Sequence, residues 1–326
     1  MRRCVVVSRW VRRVCLLALC SAGSNAVAQN WPSKPIRYIV PNTTGGMMDT
    51  FARSLGAHLQ ERLGQPVIVD NRPGAAQAIG LDLAAKAPPD GYTLVYGTQS
   101  NLVFLTASRK SLPYDPIRDF AHIGTMFASS FYLVVNPSLP VKNLQDLIGY
   151  AKANPGKLSF GSIGVGSAQQ LSMELFRLRT GLDMVHVPYK GAAASMAGLL
   201  GNQVELMFEG PGSVPHMKSG KLRGLGVSSL SRSATMPDLP PIAESVPGYE
   251  MSTWLGLSTQ AAVPRSIVDR LHGEIGVWLN APGMVQRLAS QNLDLAYGSP
   301  EQMTERVKAE IPLWAKVMRS AGMEPE

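Results

Sequence analysis

The apolar positions of this chain change period in a regular order. Ile36-Arg37-Tyr38-Ile39-Val40 is a short apolar run that reads as a strand. Phe51, Leu55 and Leu59 then recur at helical spacing, which predicts a helix over 48–63 stopped at Gly64. Val67–Val69 predicts a second strand, 79–87 a helix ended by Pro88-Pro89, and Tyr92–Tyr96 a third strand after the Asp90-Gly91 turn. This βαβαβ order argues for a parallel sheet with helices on its faces.

A second unit follows the same grammar. Strands are predicted at 131–135, 158–161, 184–187, 204–208, 222–227 and 254–258. Helices are predicted at 143–153, 170–180 and 192–200, and the C-terminal part is mainly helical. In the last helix, Ser299-Pro300-Glu301-Gln302 is a capping box with proline at the first helical position. Met303, Val307, Ile311, Trp314 and Met318 form its apolar stripe, and Pro312 is expected to kink it. Twice, then, a strand empties into a helix through a glycine-rich loop: PNTTGGMMD at 41–49 and SIGVGSAQQ at 162–170.

The N-terminus departs from this pattern. Residues 1–28 hold five arginines and no acid, then an apolar stretch from Val14 to Ala22, then Ala26-Val27-Ala28. That is a basic, apolar and small-residue succession, so a signal peptide cleaved after Ala28 is expected. The apolar stretch is far shorter than the roughly 20 residues a spanning helix needs. A lipoprotein anchor at Cys20 is disfavoured by the bulky Leu19 before it.

Removing the leader changes composition and charge. All three cysteines (Cys4, Cys15, Cys20) lie within it, so a mature chain carries no disulfide, thiolate metal site or cysteine nucleophile. The full chain has 31 Lys+Arg against 23 Asp+Glu; without the leader 26 remain against 23, a net of +3. The remaining basic residues are scattered, which argues against a nucleic-acid partner.

Known catalytic patterns fail one by one. None of His58, His122, His186, His216 and His272 forms an i, i+4 pair, and no G-x-S-x-G elbow is present. His186 reads as a core or interface residue. Gly164-Val165-Gly166 meets Gln169 where a dinucleotide loop needs its third glycine, and Gly45-Gly46 is followed by Met47-Met48 instead of Lys-Ser/Thr. Asp90 reads as a turn residue and Asp49 as a helix cap. Asn42-Thr43-Thr44 fits the short glycosylation pattern, which recurs by chance. No catalytic residue, cofactor or metal is assigned. What remains is two glycine-rich helix starts, where free N–H groups and the helix dipole suit a carboxylate or phosphate without a cation.

With these residues in view, the chain resembles the extracytoplasmic solute-binding proteins of tripartite tricarboxylate transporters, the Bug family. The matching stretches include WPSKPIRYIVP, RLGQPVIVDNRPGA, APPDGYTLVYGT, LPYDPIRDF, VHVPYKGAAA and SGKLRGLGVSS, in the family's order along nearly the whole mature chain. The resemblance implies an α/β fold of two lobes, each a mainly parallel sheet flanked by helices. The first lobe would comprise 30–130 plus 253–326 and the second 131–252. It further implies a periplasmic protein that captures a small carboxylate between the lobes and delivers it to membrane permease subunits; a monomer is expected. By position, the ligand contacts would be Asn42, Thr43, Thr44, Gly45, Gly46, Asp49 and Thr98 from the first lobe. The second would supply Ser162, Gly164, Gly166, Ser167, Gln170, Tyr189, Lys190 and Glu209.

Departures from the family pattern are local. Members usually read P-F-P-P-G-G or P-F-A-P-G-G where this chain has Pro41-Asn42-Thr43-Thr44-Gly45-Gly46. Gln170 stands where histidine is common, and Glu209-Gly210 replaces the usual Asp-Asn. A shifted selectivity, towards a more polar acid, is expected. Two other functions remain open at this point. One is a receptor that signals through a sensor protein. The other is an exported enzyme, for which Ser167, Lys190 and Glu209 are the nominable group.

Overall fold

The computed structural model describes residues 31–325 apart from Ala234 and Asn292; the leader read at 1–28 lies outside the described residues. Strand β1 (Ile36–Val40) leads through the glycine loop into α1 (Met47–Leu63). Ile36, Tyr38 and Val40 pack with Phe51, Leu55 and Leu59 of that helix, whereas Ile39 faces Leu81 and Ala84 on the other side. Burial on both faces is why β1 is nearly continuously apolar. Each fully buried leucine on α1 contributes roughly 1.5–3 kcal/mol. Gly64 stops the helix in the left-handed region, φ 72°, and donates its N–H to the Gln60 carbonyl.

The chain continues with β2 (Val67–Asn71), α2 (Ala78–Ala85) and β3 (Thr93–Thr98). A π-helical turn, Gln99–Phe104, runs into the short α3 (Leu105–Ser108). Then come β4 (Phe120–Ser130), β5 (Tyr132–Val135) and α4 (Leu144–Ala153), whose first turn is capped by Asn143. The second unit supplies β6 (Ser159–Ser162), α5 (Ala168–Thr180), β7 (Val185–Pro188), α6 (Ala192–Leu200) and β8 (Leu206–Glu209). It ends with α7 (Val214–Lys218) and β9 (Arg223–Val227). The return segment is β10 (Ser252–Gln260), α8 (Arg265–Leu279), α9 (Met284–Ser290), β11 (Asp294–Gly298) and α10 (Pro300–Ser320). Its capping box is formed as the sequence predicts, and α10 continues through Pro312 as one element.

These strands form two sheets. One has the order β11-β4-β10-β3-β1-β2, the other β7-β6-β8-β5-β9. In the first, β1 to β4 point one way and β10 and β11 run against them. In the second, only β5 is reversed. Each sheet is thus mainly parallel in direction and mixed in pairing. The chain crosses between sheets at β4–β5 and again before β10, where Ser130 pairs with Ser252. Ser228 Oγ accepts the Phe131 N–H there at 2.8 Å and donates to the Met251 carbonyl. Helix α10 lies against β4 of the larger sheet and α5 of the smaller one.

Strands β4 and β11 are absent from the sequence reading. The stretch FAHIGTMFASS mixes small and polar residues and shows no clean alternation. Its extended state is set by partners on both sides, β10 and β11, more than a hundred residues later. Gly124 is required within it: its φ is +148°, and a Cβ would collide with the Gly298 carbonyl oxygen.

Candidate functional site

The sheet order brings the relevant loops together in each unit. The carboxyl ends of β3, β1 and β2 stand side by side in the larger sheet, and those of β7, β6 and β8 in the smaller. Ligands of open α/β sheets bind at such edges.

In the first loop, Gly45 donates its N–H to Asp49 Oδ2 at 2.9 Å. Asp49 is only 2% exposed, and Arg53, one turn further along α1, pairs with both of its oxygens at 3.0 and 2.9 Å. The Arg53 guanidinium holds the Asp49 carboxyl below the usual range, so it is ionised at neutral pH. Arg53 also donates to Asn71 Oδ1 at 3.2 Å, and Asn71 donates to the Asn42 carbonyl at 3.1 Å. The loop is therefore braced from Asn42 to Asp49 by one connected network. Gly45 sits at φ +85°, where a side chain is strained. Gly46 is the N-cap and no side chain caps α1, leaving the Met47 and Met48 amides open. Thr43 and Thr44 are exposed beside them.

The second loop repeats the device with neutral groups. Gly166 donates its N–H to Gln170 Oε1 at 2.8 Å, again the residue four positions on. Ser167 caps α5: its Oγ accepts the Gln170 N–H at 3.4 Å and donates to the Gly164 carbonyl at 2.7 Å. Gly164 and Gly166 have φ of +139° and +77°. Ser162 is fully buried and its Oγ lies 2.7 Å from His186 Nε2, bracing the turn from below. His186 itself stacks on Phe160, and burial pushes its pKa down. A third open helix start follows β7: Gly191, at φ +96°, leads into α6 with no side-chain cap.

Other positions land differently from what the sequence suggests. The Tyr189 ring packs against Gly161 and Gly198, and its hydroxyl lies 3.4 Å from Gln203 Oε1, towards the far end of α6. Thr98 is buried and closes a reciprocal cap with Asn101, so it reaches the loop edge only through Gln77, at 3.4 Å. Lys190 is exposed. Glu209 is 5% exposed and its one side-chain partner is Ser195 Oγ, at 3.4 Å. Burial without a neighbouring cation raises its pKa to about 7. No hydrogen bond or ion pair among the described residues links Ser167, Lys190 and Glu209 to one another. Sequence reading missed Arg53, Asn71 and Gln77. The i, i+4 spacing of Asp49 and Arg53 was the available signal for the first.

Across the gap between the units, Gly166 and Ala168 share a pocket of about 300 Å³ with Ala76, Ser100, Phe104 and Met318. No group of three or more His, Cys, Asp or Glu among the described residues is placed to hold a metal ion. No helix among them is long and apolar enough to cross a membrane.

Residues 51–323 match the model of the tripartite tricarboxylate transporter family receptor. The chain belongs to this receptor family. It is 36% identical to protein BugT of Bordetella pertussis over 298 residues, 90% of this chain and 91% of that one. An R. palustris protein solved with adipate is 35% identical, with a TM-score of 0.67 over 91% of this chain and 100% of that one. A ligand-free TctC solute-binding protein from Polaromonas is 25% identical yet superposes better, with a TM-score of 0.81 over 89% of this chain and 99% of that one. The fold is thus shared with both solved structures, and the glycine loops described above lie at its strand ends.

Proposed function

We propose that this receptor is exported to the periplasm, closes its lobes around a small organic acid and delivers it to the permease subunits of a tripartite transporter. The observation that carries the reading is the repeated device. In each lobe a glycine amide is tied to the residue four positions on, which fixes the start of a helix at a sheet edge, without a side-chain cap in the first lobe and with one, from Ser167, in the second. Such turns stabilise a carboxylate through backbone N–H groups and the helix dipole. The lobes are 30–130 plus 253–326 and 131–252, a division that follows sheet membership. The ligand lies between the first-lobe residues Asn42 to Gly46 and the second-lobe residues Gly164 to Gln170, with Lys190 at the rim. The chain acts as a monomer and as a binder, not a catalyst; Ser167, the nominable nucleophile, is engaged as a helix cap.

One further fact supports the reading. A relative of 35% identity was solved with adipate, a dicarboxylate. Thermal denaturation of the mature protein with mono-, di-, tri-, keto- and aromatic carboxylates tests the proposal. An acid held well above its Kd raises Tm by linkage. No shift with any of these classes overturns it.

A further inference from the structure

The loop between β2 and α2 is held in an unusual backbone state. Gly74, Ala75, Ala76 and Gln77 all have positive φ, at 124°, 45°, 51° and 81°. Three of the four carry side chains, which L-residues rarely place there. Strain of this kind persists where surrounding groups hold it, and it clusters at functional sites.

The holding groups can be followed one by one. Gln77 donates its backbone N–H to the Gly74 carbonyl at 2.9 Å. Its side-chain Oε1 accepts from Asn101 Nδ2 at 3.0 Å and from Thr98 Oγ1 at 3.4 Å. Asn101 is fully buried. Its Oδ1 accepts the Thr98 backbone N–H at 2.8 Å, and its Nδ2 also donates to the Tyr96 carbonyl at 3.1 Å. These two backbone partners, one pure donor and one pure acceptor, fix which way the Asn101 amide points. The Gln77 amide is fixed in turn: oxygen inwards, NH2 outwards. No acceptor among the described residues is hydrogen-bonded to that NH2, and Gln77 is half-buried at the loop edge.

Sheet order says where this donor stands. Gln77 follows β2, and Thr98 and Asn101 close β3, while β1 lies between the two strands. The side chain therefore crosses the carboxyl end of β1, the strand that feeds PNTTGG. Its neighbour Ala76 shares the inter-lobe pocket with Gly166 and Ala168 of the second lobe. The nearest cation of the first loop, Arg53, is already paired with Asp49.

We propose that Gln77 is a ligand-contacting, specificity-determining residue whose outward NH2 donates to an anionic oxygen of the bound acid. This rests on the receptor reading and names a contact within it. A neutral carboxamide with a fixed oxygen offers only donors, so the position accepts carboxylate or hydroxyl oxygens and rejects ammonium groups.

Isothermal titration of the mature protein with adipate, malate and benzoate tests the proposal. Gln77→Glu keeps one oxygen for Asn101 and Thr98 and replaces the NH2 by an anionic oxygen. It is expected to bind each acid that the wild type binds at least roughly tenfold more weakly. The loss should be larger for adipate than for its monoamide, because repulsion scales with the second charge; a purely structural role weakens both alike. Gln77→Gly, which adopts positive φ freely, is the second variant, with an expected loss of about tenfold. If both variants bind within about twofold of the wild type, or if adipate and its monoamide lose affinity equally, the Gln77 assignment is overturned and the receptor reading stands. If the wild type binds none of the mono-, di-, tri-, keto- and aromatic carboxylates, both fall.

Discussion

The two glycine loops have the same backbone bond and different electrostatics. Gly45 is tied to Asp49 and Gly166 to Gln170, at 2.9 and 2.8 Å. In the first lobe the tie is a carboxylate neutralised by Arg53; in the second it is a neutral amide beside a serine cap. The second lobe buries two acids: Glu174, paired with Arg177 at 2.8 Å, and Glu209, which has no cation beside it. One geometry is thus maintained by an ionised tie in one lobe and by an amide tie in the other, where Gln170 rests against the buried Glu174–Arg177 pair. The lesson is that the loop shape is what the two lobes share, while charge is distributed around it differently. Asp49 and Glu209 should then respond to pH in opposite directions.

Glu209 gives the largest expected effect. Its folded pKa of about 7 lies above the ordinary glutamate value, so the unfolded chain ionises first as pH rises. Stability is therefore lost between the unfolded value, near pH 4.3, and pH 7, by at most about 4 kcal/mol. Glu209→Gln should abolish this fall and be more stable than wild type at pH 8 in urea unfolding. Identical pH profiles for the two proteins would remove the contrast between the acids.

Asp49→Ala comes next. It leaves the Gly45 N–H without its acceptor and Arg53 without its partner, and about 2–3 kcal/mol of stability is expected to go. The Asp49 contribution has the reverse sign with pH. Its folded pKa is lowered, so the brace is complete above the unfolded value near 4 and is lost as pH falls through the folded one. Acid unfolding followed by circular dichroism should be shifted in Asp49→Asn; an unshifted curve would mean that Arg53 is not its partner in solution.

Gly46→Val separates shape from stability. Gly46 has ordinary φ of −75°, and only the Thr43 carbonyl lies near a Cβ there, at 3.7 Å. The variant should keep its Tm and lose roughly tenfold in affinity, about 1.4 kcal/mol, because the new side chain covers the open turn. Full affinity would mean that the first loop does not meet the ligand. The smallest effect belongs to Gln170→Ala, which removes a neutral tie and should cost about 1 kcal/mol. A cost equal to that of Asp49→Ala would show that charge adds nothing to the first brace.

Much of the fold is legible in the residues, and the reasons are local. The run at 36–40, the helical spacing of Phe51, Leu55 and Leu59, and Gly64 as a stop all act within one or two turns. The same holds for the capping box at Ser299, which the structure forms with both of its bonds. What was missed depends on distant partners. Strand β4 is extended because β10 and β11 flank it, although FAHIGTMFASS has no alternating pattern to announce it. The site divides the same way. Gly45, Gly164 and Gly166 could be picked out because their turns need the positive φ that glycine adopts freely, and Gly46 because it adjoins Gly45 at a helix start. Gln77 could not, because its importance comes from a bond to Asn101 across an intervening strand.

By itself, then, the sequence determined the succession of strands and helices, the two glycine-rich helix starts and the absence of familiar catalytic patterns. Those follow from side-chain period, backbone sterics and spacing, all of which act over a few residues. Tertiary structure decided which loops share an edge, that Arg53 is consumed by Asp49 and that Glu209 is buried without a cation. It also fixed the orientation of the Gln77 amide. These are consequences of strand order and burial. A hydrogen bond between residues at the ends of β2 and β3, with β1 between them, exists only once the sheet has brought them within 3.0 Å of each other.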